Sequence, residues 1–376
     1  MAGIYIHVPF CKTRCIYCDF YTRTSMEQKT PFVSAICKEL VLRSNYIGGE
    51  SVGTIYFGGG TPSQLSKADF KAIFSTIYET YRVDDDAEIT LEANPDDLNE
   101  KYLDMLRSIG FNRLSMGVQS FDDKQLQFLN RRHSAQKALD AVRMSKQAGF
   151  SNISIDLMYG LPDLTLETWN KTLDTAMNLD IQHISSYHLI YEQGTKLYRL
   201  LQKGNVKSVE EELSVEMFST LIRRLQENGF IHYEISNFGK EGYFSRHNSS
   251  YWLGTKYLGT GPSAHSYNKE NRCWNISSIS KYIQGIEDND PQIEIEDLDI
   301  RTRYNDFILT GMRTMWGISK SELKSLFGEK YAAYCDQNIA RHLKSGDVYT
   351  DEDRYKISRQ GIFVSDSIMS DLMYID

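Results

Sequence analysis

The sequence contains no apolar run long enough to cross a bilayer, for which a helix needs about 20 residues. It also shows no basic-then-apolar leader, so a soluble, cytoplasmic chain is expected, with a peripheral position at the inner membrane surface left open. Positive charge is short: 42 Lys and Arg stand against 50 Asp and Glu, a net charge of -8. A groove that tracks a nucleic-acid backbone needs clustered cations, so nucleic acid is not the expected partner. Cysteine is scarce, with six in 376 residues. In a chain without a secretory leader this argues against a disulfide framework, because cytosolic thiols stay reduced. There is no low-complexity segment and no internal repeat beyond an alternation of strand-like and helix-like runs. The 41% of hydrophobic residues is enough for one large domain and a smaller one.

Half of the cysteines sit in one loop, Cys11-Lys-Thr-Arg-Cys15-Ile-Tyr-Cys18, directly after the apolar run Ile4 to Val8. The spacing C-x3-C-x2-C lets three thiolates converge on one soft metal centre, an iron-sulfur cluster or zinc. Three ligands are one too few for either. His7 is a candidate fourth ligand for zinc, whereas a 4Fe-4S cluster held by three thiolates keeps one iron open to an outside ligand. Cys37, Cys273 and Cys335 are isolated and read as small buried apolar residues.

Onward from this loop, strand-like runs hand over polar residues at their C-terminal ends, the pattern of a parallel β/α barrel whose chemistry gathers at that face. Strands are expected at 4–8, 54–57, 88–93, 113–118, 152–158 and 183–190, with a helix at 31–44 and another at 209–227. The second strand runs into Gly58-Gly59-Gly60-Thr61-Pro62, where glycine permits close backbone approach or a plain tight turn. The third delivers Glu92 and the fifth embeds Asp156 among apolar neighbours, where a carboxylate is costly unless hydrogen bonded. Tyr187 and His188 at the end of the sixth read equally as packing or as pocket lining. Residues 231–238 read as an edge strand. Six units do not close an eight-stranded barrel, so the expected fold is α/β, a partial (β/α)6 TIM-like barrel with an open side.

These motifs resemble the radical S-adenosylmethionine (SAM) superfamily, whose cluster loop is C-x3-C-x2-C followed by an aromatic. The lead-in Tyr5-x-His7-x-Pro9-Phe10-Cys11 and the exit Cys18-Asp19-Phe20 are similar to one branch, the coproporphyrinogen dehydrogenase (HemN) and HemW haem-chaperone group. The resemblance implies a 4Fe-4S cluster on Cys11, Cys15 and Cys18, with SAM chelating the open iron. It implies a SAM pocket formed by Tyr5, Gly60 and Thr61 of the glycine motif, Glu92 of Leu-Glu-Ala-Asn-Pro, Gln119, Arg131 and Asp156. The family reads Gly-Arg-x-His where this chain has Asn130-Arg131-Arg132-His133, which makes Arg131 rather than Arg132 the match and Asn130 a departure.

A further stretch, Arg246-His247-Asn248-Ser249-Ser250-Tyr251-Trp252, places a histidine beside two large aromatics. Read alone it favours a satisfied core histidine; the resemblance reverses this, because His-Asn-x-x-Tyr-Trp looks specific to the haem-chaperone branch and implies haem on His247, Asn248, Tyr251 and Trp252. Phe20 stands where the dehydrogenases carry a further cysteine, and Cys11 follows the N-terminus almost at once, both favouring the chaperone branch. Helices expected at 304–314, 319–326 and 332–343 and a hairpin in 348–364 resemble a small winged-helix-like C-terminal domain. The expected organisation is a radical SAM barrel over 1–240, a connecting segment over 241–300 whose residues 287–299 form an acidic solvated link, and the C-terminal domain over 301–376. The implied partners are haem-acceptor proteins, respiratory and membrane-associated ones among them; a homodimer stays open. The rival activity is oxidative decarboxylation of coproporphyrinogen propionates, and a third reading is a zinc-stabilised binding module.

Overall fold

Parallel neighbours in a sheet require a crossover, usually a helix, between one strand and the next. The computed structural model, which describes residues 1–375, follows this rule. The first part alternates β1 (Ala2–Val8), α1 (Lys29–Leu42), β2 (Val52–Gly59), α2 (Lys67–Thr80), β3 (Val83–Ala93), α3 (Glu100–Ser108), β4 (Arg113–Gln119), α4 (Asp123–Phe128), α5 (Ala135–Gln147), β5 (Ile153–Tyr159), α6 (Leu166–Asn178) and β6 (His183–His188). Each of β1 to β5 pairs in parallel with the next. Helix starts are set by side-chain caps, such as the reciprocal Ser66–Asp69 box at α2 and Asp122 at α4.

After α7 (Lys196–Gln202) and α8 (Glu211–Glu227), the expected single edge strand is a hairpin of β7 (Ile231–Glu234) and β8 (Asn237–Gly239), with β8 antiparallel to β6. The chain then returns to the opposite edge. It passes through α9 (Arg246–Trp252), β9 (Tyr257–Thr260), β10 (His265–Tyr267), β11 (Asn271–Asn275), α10 (Ile279–Glu287) and β12 (Ile293–Asp297). β9 pairs in parallel with β1, so the sheet has twelve strands in the order β12-β11-β10-β9-β1-β2-β3-β4-β5-β6-β8-β7. The segment expected to connect two domains therefore extends the barrel sheet across residue 240. The acidic link at 287–299 is corrected in the same way: it contains β12, paired with β11 from Asn271↔Asp297 to Asn275↔Ile293. Its charged outer residues suit an exposed edge.

A second hydrophobic core begins at Tyr304 and ends at Leu372, separate from the one that spans Ala2 to Ile286. It is built from α11 (Ile300–Met312), β13 (Ile318–Ser319), α12 (Lys320–Ser345), β14 (Val348–Asp351), β15 (Arg354–Ile357) and α13 (Ser365–Leu372). α12 is two helices joined at Gly328, whose φ of 81° interrupts the helix between the two expected ones. No helix among the described residues is long and apolar enough to cross a membrane.

Candidate functional site

β1 ends at Val8 and releases the cysteine loop over the C-terminal end of the sheet. The backbone N–H of Cys11 donates to Arg23 O and that of Arg23 to Pro9 O, closing the loop on itself. All three thiols are free, Cys11 buried and Cys15 and Cys18 half-buried. Among the described residues no three His, Cys, Asp or Glu side chains have the spacing of an assembled metal site. The donor set nevertheless fits a three-thiolate cluster. The Thr61 hydroxyl donates to Cys11 Sγ at 3.3 Å and the Arg131 guanidinium to Cys15 Sγ at 3.3 Å. Burial pushes the Cys18 thiol up to about 11, and the neighbouring Cys15 and Cys11 add to the rise. Close, buried thiols of this kind give up their protons to a metal, whose charge inverts the balance. His7, the candidate fourth zinc ligand, is occupied: Nδ1 meets the Tyr5 hydroxyl at 3.2 Å and Nε2 meets Tyr21 O at 3.1 Å.

Around the loop, the strand ends assemble an interlocked polar pocket. Glu92 on β3 accepts from the Tyr56 hydroxyl at 2.7 Å and from the Gly59 N–H at 3.1 Å, filling two of its roughly four lone-pair sites. Burial raises its carboxyl to about 7. Asp156 on β5, near Ser115 Oγ at 3.5 Å, is raised by burial to about 6 against the opposing charges of Arg113 and Arg131. Gln119 ends β4 with a φ of 67°. Its amide and the Arg131 guanidinium lie over Gly117, where a Cβ would meet them at 3.0 and 3.1 Å. Arg131 also donates to Asn94 Oδ1 at 2.6 Å, whereas Arg132 is held by Asp96 at 2.7 Å and Asp97 at 3.1 Å. Asn130 has a φ of 60°, a conformation that glycine or asparagine tolerates best, and its amide donates to Arg14 O at 2.8 Å. The departure at this position thus keeps the backbone and adds a bond to the cysteine loop.

Gly60 and Thr61 follow β2 and pack against the cysteine loop. The Gly60 N–H donates to Val8 O at 2.8 Å, and a Cβ there would sit 2.7 Å from that oxygen. Thr61 is buried and spends its hydroxyl on Cys11. Both lock the glycine motif against the cysteine loop. Tyr187 and His188 are exposed, His188 bonding Ser214 Oγ at 3.1 Å. Tyr56 was not singled out by sequence; it lay inside an apolar run. The period-two spacing of Thr54, Tyr56 and Gly58 on one strand face was the available signal.

The His247 segment forms α9, capped by Ser245 and by Glu88, which accepts from the His247 N–H at 3.0 Å. His247 is 1% exposed, with Nδ1 on Thr54 Oγ1 at 2.8 Å and Nε2 on the Tyr251 hydroxyl at 2.8 Å. Its ring stacks on Tyr56 at 4.9 Å, and burial lowers its pKa to about 3. The structure therefore places His247 under the sheet strands with both nitrogens engaged, and Asn248 gives its N–H to the Ser245 cap. Tyr251 and Trp252, one turn on, reach a cavity of about 1340 Å³. That cavity also meets Tyr5, Tyr257, His265 and Tyr267 on the sheet side, Asp19 to Tyr21 of the cysteine loop, and Phe307 and Trp316 of the C-terminal domain. The Arg313 guanidinium lies 4.0 Å over the Trp252 ring and pairs with buried Glu234 at 2.6 Å, tying the two cores together beside it.

Comparison with known proteins agrees with this layout. Residues 5–176 match the radical SAM superfamily and residues 298–364 the HemN C-terminal domain. The chain is 34% identical to heme chaperone HemW of Bacillus subtilis, over 98% of both chains. It is 30% identical to heme chaperone HemW of Mycobacterium tuberculosis, over 99% of this chain and 94% of that one. Coproporphyrinogen III oxidase (HemN) from Escherichia coli has the same fold, with a TM-score of 0.85 at 23% identity, covering 99% of this chain and 90% of that one. SAM and a 4Fe-4S cluster are typical of the superfamily. The chain belongs to the radical SAM superfamily and, within it, to the family of these HemW proteins.

Proposed function

We propose that this protein is a haem chaperone, which takes haem into the cavity between the sheet edge and the C-terminal domain and passes it to acceptor haemoproteins. The observation that carries this reading is the cavity itself: it is about 1340 Å³, beyond the roughly 300–1,000 Å³ of ordinary small-molecule pockets, and its wall contains Tyr251 and Trp252 of the His-Asn-x-x-Tyr-Trp segment. Aromatic rings suit the faces of a planar macrocycle. His247 acts from beneath, fixing the Tyr251 hydroxyl.

On this reading Cys11, Cys15 and Cys18 would hold the 4Fe-4S cluster, which would supply the one-electron chemistry of the superfamily. Arg131, aimed at Cys15, pairs the SAM carboxylate; Glu92, Gln119 and Asp156 receive its amino and ribose groups; Tyr5 divides this pocket from the cavity. Gly60 and Thr61 hold the cysteine loop in register.

The test is an anaerobic haem titration of cluster-reconstituted protein, read in the Soret band, with Trp252→Ala beside wild type. Saturable binding weakened by the substitution supports the chaperone; no saturable binding, together with vinyl-bearing product from coproporphyrinogen, would favour the rival decarboxylase.

A further inference from the structure

Eight histidines are present, and two of them, His7 and His265, line the cavity. His7 is 4% exposed and both its nitrogens are hydrogen bonded. His265 differs. It is exposed, stacks on Trp274 at 5.6 Å and 26°, and has no hydrogen bond on either ring nitrogen among the described residues. β10 and β11 present the two rings as a directly paired couple, His265↔Trp274, on one face of the sheet. Burial and the nearby Arg272 lower the His265 pKa, which keeps a lone pair available at neutral pH.

We infer that His265 is the side chain that ligates the haem iron, with Trp274 holding its ring and the Tyr251–Trp252 edge of α9 facing the macrocycle. This rests on the haem-chaperone reading above and names the ligand within it. An iron ligand needs a neutral imidazole with a nitrogen not already committed, on a rigid element, opening into a space that admits the macrocycle. His265 meets all four conditions; His247, buried beneath the strands with both nitrogens engaged, lacks the uncommitted nitrogen and the opening. Two cations complete the surroundings. Lys269 and Arg303 line the same cavity and neither has an ion pair among the described residues, while the neighbouring Arg272 is held by Glu296 and Asp306. Free cations at the edge of an aromatic cavity match the two propionates of haem.

The experiment uses the full chain with its cluster reconstituted, titrated anaerobically with haem. Wild type, His265→Ala and His188→Ala are compared by Soret difference spectra and by the iron–histidine stretch of the ferrous complex in resonance Raman. His265→Ala should lose the iron–histidine stretch, shift the Soret maximum and bind haem roughly tenfold more weakly or worse. Imidazole added to the solution should restore the wild-type spectrum. His188→Ala should match wild type. His265→Tyr offers a different donor and should move the spectrum to that of a phenolate ligand, which distinguishes ligation from a packing defect. Saturable binding with an unchanged Soret maximum and stretch in His265→Ala would overturn the inference and leave the chaperone reading standing. Absence of saturable binding by wild type would remove both.

Discussion

The two halves of the site are built in opposite ways. At the strand ends around the cysteine loop, polar groups bond one another directly: Glu92 with Tyr56 and Gly59, Arg131 with Asn94 and Cys15, Thr61 with Cys11. In the cavity across Tyr5, rings dominate the walls, and His265, Lys269 and Arg303 stand without hydrogen-bonded or ionic side-chain partners among the described residues. A preorganised pocket suits a small ligand held in one pose. A wide aromatic cavity with uncommitted polar groups suits a cargo that must enter and leave.

The comparison breaks most visibly at Arg131. Losing a charge-assisted contact of about 1.5–3 kcal/mol, Arg131→Ala should weaken SAM binding roughly 10- to 100-fold in calorimetry on cluster-loaded protein. Arg132→Ala, whose guanidinium is held by Asp96 and Asp97, should leave SAM affinity nearly unchanged. Equal losses in both would mean that the loop, and not the Arg131 guanidinium, sets affinity.

Next in size is the pH dependence of the cofactor-free chain. Glu92 is raised from 4.5 to about 7, so between those values the folded chain holds a proton that the unfolded chain has released. The Glu92 share of stability therefore falls as pH rises through this window, by about 3 kcal/mol, while the buried histidines His133 and His247, which fold neutral, contribute with the opposite sign. Urea unfolding of Glu92→Gln and wild type across the window should give profiles whose difference falls by this amount as pH rises, the contributions of Asp156, His133 and His247 being common to both. A slope equal to that of wild type would place the titration elsewhere.

Tyr251 lies where the halves meet. Tyr251→Phe removes the partner of His247 Nε2 and should cost about 1–3 kcal/mol of stability, measured by chemical denaturation. The smallest effect should come from the open side: His265→Ala, which breaks no hydrogen bond, should shift stability by no more than about 0.5 kcal/mol. A larger loss there would show that the cavity wall is as interlocked as the strand ends.

What could be read from sequence follows the same division. The cysteine loop, the glycine motif and the carboxylates of β3 and β5 are local, each a few residues at the end of an apolar run, so their placement was legible. The cavity draws on Tyr5, Tyr251, His265, Arg303 and Trp316, which only the folded sheet brings together. β9 to β12 were not legible as strands, because they are short and β12 alternates Ile with Glu at an exposed edge. The hairpin of β7 and β8 read as one strand for a related reason. Its run Ile231 to Phe238 is continuous in composition, and the break comes from Glu234, which folds back to accept from Asn237 and pair with Arg313. His247 was legible as important but not as to why: nothing local announces Thr54 and Tyr56, nearly 200 residues earlier, as its partners.

The parallel pairing of β9 with β1 also sets an order in time. The strand that leads into the cysteine loop is the first made, yet its second neighbour begins at Tyr257, about 250 residues later. At roughly 5–20 residues per second, a ribosome leaves that edge unpaired for about 10–50 s. Of the six barrel strands, the one that positions the cysteine loop is thus the last to be flanked on both sides during synthesis.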